Sequence, residues 1–319
     1  MLISLLEFDS GLRCSLPNAN QTFVFGYSTV INPAVFNLTR DTVLEQLSAN
    51  QNRFQNFADV RLDTDNGYTI HYHNDIPSLL ESINANPPDA SIALTVAPTN
   101  VFDVLGSFLN TSTSCGSTAF LLMQRTTSLR DYRVTINETA YNQRLKVFVV
   151  EPYWPDGGDF PGPLEKLVGM GQGLYVYASD TPDRGSSSKN TTYEKVAGLL
   201  MTAPITDTLI YSSSEKGVFA NETRQLGDLY VPVSSGKVTL AITTDYAEPS
   251  DFIAIRLNLT NKANGQVTSF FYDDNDFVDV SDLMWKSIQL ESGTQYRVTA
   301  DYYDSNGGNF YDIRMYLAN

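Results

Sequence analysis

From residue 22 to about residue 201, short apolar runs alternate with stretches of helical character. The runs TFVFGYS (22–28), FADVRLD (57–63), YTIHYH (68–73), TAFLLMQ (118–124), KVFVVEP (146–152) and GLYVYAS (173–179) read as strands. Several are apolar throughout and rich in Val, Phe, Tyr and Ile, which suits strands covered on both faces. Helical candidates lie between them at 41–49, 77–83, 100–109, 163–168 and 193–201. Strands alternating with helices over this length predict a doubly wound α/β domain with a mostly parallel sheet.

After residue 203 the pattern changes. TLIY (208–211), DLYVPV (228–233), KVTLAIT (237–243), FIAIRLNL (252–259), VTSFFY (267–272), MWKSIQL (284–290), QYRVTADYY (295–303) and NFYDIRMYL (309–317) follow at short intervals. Ile253, Ile255, Leu257 and Leu259 fall on one face, as do Tyr296, Val298, Ala300 and Tyr302. Turn signals such as Asn264-Gly265 separate the runs. About eight strands without intervening helices predict an antiparallel sandwich or jelly roll. The expected division is residues 1–202 for the α/β domain, with its core from about residue 20, and 203–319 for the sandwich.

Charge and composition narrow the partners. The chain has 319 residues and carries 36 Asp and Glu against 21 Lys and Arg, a formal net charge of −15. That argues against nucleic acid, whose phosphates need a cationic surplus. No apolar run approaches the roughly 18 residues of a membrane span. The opening MLISLLEFD is too short and too acidic for a signal peptide. Asn-x-Ser/Thr acceptors nevertheless occur at Asn20, Asn37, Asn110, Asn137, Asn190, Asn221 and Asn258, which favours a secreted glycoprotein whose leader is not in this chain, with a soluble cytosolic protein as the alternative.

The segments FVFGYST, FADVRLDT followed by YTIHYHNDIPSLLESI, TNVFDVLGSFLN and CGSTAFLLMQR resemble a von Willebrand factor A domain. Within that group they are similar to the A-domain-like region of nematode secreted proteins, often found beside C-type lectin modules. The resemblance covers residues 14–202. It implies the order strand, helix, strand, strand, helix, helix, then three more strands each preceding a helix. Family members that bind through a metal carry Asp-x-Ser-x-Ser after the first strand, a Thr before the third helix and an Asp after the fourth strand, oxygen ligands suited to Mg²⁺. Here the first motif matches Gly26-Tyr27-Ser28-Thr29-Val30, Thr99 matches the Thr, and the fourth strand ends in Met123-Gln124-Arg125. With both carboxylates gone, the resemblance implies a lost metal site and no cofactor. It leaves Ser28, Thr99 and Asn100 as candidates for a ligand rim, although Ser and Thr at strand ends also serve as plain caps. The resemblance also sets the first and fourth strands side by side, which would bring Cys14 and Cys115 within reach of a disulfide; two free buried thiols are the alternative.

Other constellations are weaker. Gly26-Tyr27-Ser28 follows a strand like a hydrolase nucleophile elbow, but the second Gly is replaced by Val30 and no His follows His71 and His73. Those two imidazoles share a strand face with no third ligand in sight and read as an edge-strand pair. Gly169-Met170-Gly171-Gln172-Gly173 precedes a strand, so it reads as a helix end and return turn and not as a phosphate loop. Asp273, Asp274 and Asp276 form an acidic stretch that could ligate Ca²⁺ or simply be solvated. Tyr302, Tyr303, Tyr311 and Trp285 could form a sugar-stacking platform or belong to a sandwich core. The expected function is a secreted, non-enzymatic binding or adhesion protein recognising extracellular proteins or glycans, in defence or matrix contact. The alternative is a hydrolase or an enzyme accessory module. The sequence carries no signal for an oligomeric state.

Overall fold

The computed structural model describes residues 21–65, 67–93, 99–127, 134–153, 155, 162–179, 192–202, 207–218, 221–244, 253–279, 281–304 and 309–318. Its first half contains β1 (Thr22–Ser28), α1 (Pro33–Ala49), β2 (Asn56–Leu62), β3 (His71–His73), α2 (Ile76–Ala85), α3 (Val101–Leu109), β4 (Thr118–Leu122), α4 (Val134–Asn142), β5 (Lys146–Pro152), α5 (Gly162–Met170), β6 (Leu174–Ala178) and α6 (Thr192–Leu200). The six strands form one sheet in the order β3-β2-β1-β4-β5-β6. Every neighbouring pair is parallel except β2 with β3. This is the expected doubly wound, A-domain-like α/β architecture, with the element order the resemblance implied.

The period-two alternation of strands sorts side chains onto two faces. Phe23, Phe25, Tyr27, Phe120, Leu122, Phe148 and Val150 pack with α1, α2 and α6. Val24, Leu121, Met123, Val147 and Val149 pack with α3, α4 and α5. Helix α1 starts eight residues earlier than its pattern suggested. Asn32 caps it by accepting from the Ala34 amide, Pro33 stands in the first turn, and Val35, Phe36 and Thr39 are buried. Helix α4 escaped the sequence pattern, because VTINETAYN is poor in strong helix formers; contact with its neighbours α3 and α5 supplies the stabilisation.

The second half contains β7 (Thr208–Val218), β8 (Glu222–Val231), β9 (Lys237–Thr244), β10 (Ile253–Asn261), β11 (Val267–Tyr272), β12 (Leu283–Gln289), β13 (Thr294–Asp304) and β14 (Asn309–Leu317). They form two four-stranded antiparallel sheets, β11-β10-β13-β8 and β12-β9-β14-β7, in jelly-roll topology. The Asn264-Gly265 signal is a turn as expected: Gly265 adopts φ +74°, and its N–H donates to the Asn261 carbonyl at 2.8 Å. Inward side chains of both sheets make a separate core that includes Ile255, Leu257, Val298, Tyr302, Tyr311 and Ile313.

The outer face of the β12-β9-β14-β7 sheet meets the α/β half. Ala241, Leu283 and Tyr316 join the core built with α1 and α6. The Asp282 amide donates to the Tyr177 carbonyl at 3.0 Å, and the Tyr177 amide donates to Asp282 Oδ1 at 2.9 Å. Arg314 is fully buried here. It pairs with Asp312 at 2.5 Å and donates to the Gly169 carbonyl at 3.3 Å, while Ser214 donates to Asp312 at 2.6 Å. Burial raises the Asp312 pKa, opposed by Arg314 and Ser214. Removing one member of such a pair strands a buried charge, so Asp312→Ala is expected to destabilise the protein by about 3–5 kcal/mol in urea unfolding. The paired replacement Asp312→Leu with Arg314→Met should cost far less, and equal losses for the two variants would refute this role.

Candidate functional site

The strand order reverses between β1 and β4, and in open α/β sheets ligands bind beside such a point, at the carboxyl ends of the strands. Ser28 ends β1, Asp63 follows β2, Thr99 and Asn100 precede α3, and Gln124 to Thr126 follow β4. Strict alternation would place Asp63 with Asp59 and Arg61, on the face opposite Ser28. Its φ of +63° breaks the alternation. Ser28 Oγ then donates to Asp63 Oδ2 at 2.6 Å, and the Asp63 amide donates to Asn100 Oδ1 at 3.0 Å. Burial raises the Asp63 pKa, opposed by the Ser28 and Thr99 hydroxyls, the Arg125 guanidinium and the Asn100 contact. The Thr99 amide donates to the Thr126 carbonyl at 3.2 Å, tying the start of α3 to the end of β4.

This arrangement corrects the expected ligand rim. Ser28 is 0 % exposed and Thr99 only 4 %, so both lie beneath the surface; Asn100 is partly exposed. Nor do the residues fit the divalent ion that the family's motif would hold. A Cβ at Gly26 would stand 2.7 Å from Leu121 Cδ2, with Val60 and Leu62 close behind, so apolar side chains fill the space a carboxylate needs. Arg125 brings a positive charge to Asp63, the carboxylate that Ser28 contacts. No group of three metal-ligating side chains converges among the described residues.

The acidic stretch is a capped turn. Asp273 Oδ1 accepts from the Asn275 amide and side chain at 2.9 and 3.0 Å, and Asp276 Oδ2 accepts from the Asp273 amide at 3.1 Å. Lys286 lies 3.7 Å from Asp276 Oδ1. Asp273 and Asp276 are therefore committed to backbone donors and a cation; the side chain of Asp274 lies outside the described residues.

Asp59 and Glu151 are further buried acids not singled out from sequence. Asp59, in β2, is 1 % exposed and holds both histidines of β3, with His73 Nε2 at 2.7 Å and His71 Nδ1 at 3.5 Å. The polar stripe Asp59, Arg61, Asp63 within an otherwise apolar strand was the available signal. These groups adjoin a cavity of about 250 Å³ lined by Tyr27, Arg61, Tyr68 and Asn86. Glu151, in β5, is fully buried and accepts from the Tyr175 hydroxyl, while Tyr177 donates to Glu165 at 2.9 Å. Burial pushes Glu151 up to about 8; the Thr126 hydroxyl opposes this, and Glu165 and Asp63 add to it.

Among the acceptor asparagines, Asn37, Asn110 and Asn221 are exposed and Asn258 is partly so. Asn137 is 3 % exposed on α4, where a folded protein has no room for an oligosaccharide. Asn20 and Asn190 lie outside the described residues. Cys115 is disulfide-bonded, and Cys14 lies outside the described residues. Tyr302 and Tyr311 pack in the sandwich core with ring centroids 4.7 Å apart, and Trp285 packs at the junction of the two halves. Of the four proposed platform residues, Tyr303 lies on a sheet face turned away from both the sandwich core and the junction.

Among solved structures, the chain is similar to a von Willebrand factor type A protein from Catenulispora acidiphila, with 11 % identity and a TM-score of 0.40, covering 93 % of this chain and 62 % of that one. It is also similar to the human COPII-coat protein Sec24c, with 12 % identity and a TM-score of 0.40, covering 90 % of this chain and 44 % of that one. The N-terminal domain of TFIIH p34 matches at 13 % identity and a TM-score of 0.36, covering 58 % and 98 % respectively. The chain thus spans less than two thirds of the first two. Likenesses at these TM-scores carry no argument about function. No protein-family model matches the chain, and neither does any curated protein.

The Glu151 environment gives a stability test. The folded protein keeps this proton up to about pH 8, whereas the unfolded chain releases it near the ordinary 4.5, so stability falls as pH rises across that window and levels off above it. Glu151→Gln removes the slope. The variant should gain on the parent from pH 4.5 to 8, by on the order of 4–5 kcal/mol at the alkaline end in urea titrations. Parallel stability curves for the two proteins would overturn the assignment.

Proposed function

We propose that this chain is a non-enzymatic recognition protein of the extracellular space, acting in adhesion or in binding of proteins or glycans. The observation that carries the reading is the fate of the groups that could do chemistry. Ser28 donates a hydrogen bond to Asp63 beneath the surface, while the chain's two imidazoles are held by Asp59 on the opposite face of the sheet. A serine nucleophile of the triad type needs an imidazole within hydrogen-bond reach, and this arrangement separates serine from imidazole. The doubly wound half is read as a protein-interaction unit. The exposed acceptor asparagines and the disulfide at Cys115 support a secreted setting.

Purified full-length protein is expected to leave chromogenic esters and glycosides unhydrolysed. Its melting temperature should be the same in Mg²⁺, Mn²⁺, Ca²⁺ or EDTA, since a ligand of the folded state would raise it. Turnover that Ser28→Ala abolishes would sink the reading. A metal-dependent rise in melting temperature would instead restore a cation-dependent adhesion mode.

A further inference from the structure

The outward face of the β11-β10-β13-β8 sheet carries an ordered row of side chains. Strand register places Phe271, Arg256, Asp301 and Thr223 abreast across the four strands, with Ser269, Asn258, Thr299 and Gln225 in the adjacent row. Ser269 Oγ donates to Asn258 Oδ1 at 2.7 Å, Asn258 Nδ2 to Asp301 Oδ2 at 3.0 Å, and Thr223 Oγ1 to Asp301 Oδ1 at 2.8 Å. Beside this chain of bonds, the Phe271 and Tyr303 rings meet edge to face with centroids 6.2 Å apart. The Arg256 guanidinium lies 5.6 Å from one centroid and 5.7 Å from the other. Phe271 is 45 % exposed.

The hydrogen-bonding capacity of the row is only partly used. Each Asp301 oxygen accepts one bond and has room for another. Arg256 makes no hydrogen bond or ion pair among the described residues, so the planar fork of donors held against two rings is unspent. Charge on the face is close to balance in a chain of net −15: Arg256 and Arg297 stand against Asp228 and Asp301, and Lys262 closes on Asp228 at 2.9 Å. An anionic partner would meet Asp301 directly opposite Arg256, and a cationic one would meet Arg256 itself. A neutral, hydroxyl-rich ligand suits all of these groups. Vicinal hydroxyls can accept from the guanidinium and donate to Asp301, and the C–H face of a sugar ring can lie on an aromatic face whose quadrupole is negative.

We infer that the Phe271–Arg256–Asp301 face of the jelly roll binds an uncharged carbohydrate chain. The inference rests on the recognition reading and gives it a ligand class and a location. It also requires Asn258 to be unmodified, because an attached oligosaccharide would lie across the same row.

The test is native affinity electrophoresis of full-length protein in gels containing barley β-glucan, xyloglucan, galactomannan or dextran, with polygalacturonate and heparin as charged counterparts. At least one neutral polymer should retard the protein, with little dependence on salt. Phe271→Ala, Arg256→Ala and Asp301→Ala should each weaken that retardation at least tenfold while keeping the parent's circular dichroism and melting temperature. Tyr141→Ala, at an exposed position on α4 in the other half, should leave it unchanged. Failure of every neutral polymer, retardation that the face variants leave intact, salt-sensitive retardation by the charged polymers alone, or a glycan found on Asn258 by peptide mass would each overturn the assignment. None of these outcomes touches the non-enzymatic reading, which falls only to turnover.

Discussion

The open edge of β6 is the constraint on which the arrangement of the two halves depends. An edge strand presents unpaired amides and carbonyls, and a parallel sheet of this kind needs both faces and its edges covered. Here the jelly roll supplies the cover. Asp282 takes the Tyr177 amide with its carboxylate and gives its own amide to the Tyr177 carbonyl, and Ser281 forms a bridge with Ala178. The same contact holds Tyr177 where its hydroxyl can reach Glu165, so an edge-capping interaction also shapes the buried acids beside Glu151. Arg314 and Asp312 fix the neighbouring part of the junction, with a buried ion pair in place of simple hydrophobic contact.

Within the α/β half, one backbone conformation decides which groups meet. Asp63 leaves the regular alternation at φ +63° and turns its carboxylate toward Ser28 and the start of α3. A non-glycine residue in that conformation is uncommon, with Asp and Asn among the more tolerant side chains. The result is a compact polar cluster at the point where strand order reverses, built from the end of β1, the residue after β2, the start of α3 and the segment after β4.

Strands were legible in the sequence wherever burial made them so. Those at 22–28, 146–152, 267–272 and 309–317 have the bounds their apolar patterns suggested, because residues buried on both faces or in strict alternation leave a clear periodic mark. Helices whose stability comes from packing were harder: the front of α1 and all of α4 contain Asn and Thr, and their own propensity does not announce them. At the carboxyl edge, the resemblance to an A domain pointed to Ser28, Thr99 and Asn100 together. It did not reveal that the first two are buried, nor that Asp63 joins them, since a switch to positive φ leaves no periodic trace. Asp59 and Glu151 stood in plain view as charges inside apolar strands, but only the fold shows what faces them.

Gly26 has an implication for how this edge is packed. The volume beside its Cα is occupied by the end of the Leu121 side chain, so an acid introduced there to hold an ion would first have to displace it. Arg125 would oppose the same ion by charge. Seating a cation here would therefore take linked changes at 26, 121 and 125, the first of which disturbs core packing. The glycine thus acts as a packing element: the side chain it lacks is the room in which Leu121 sits.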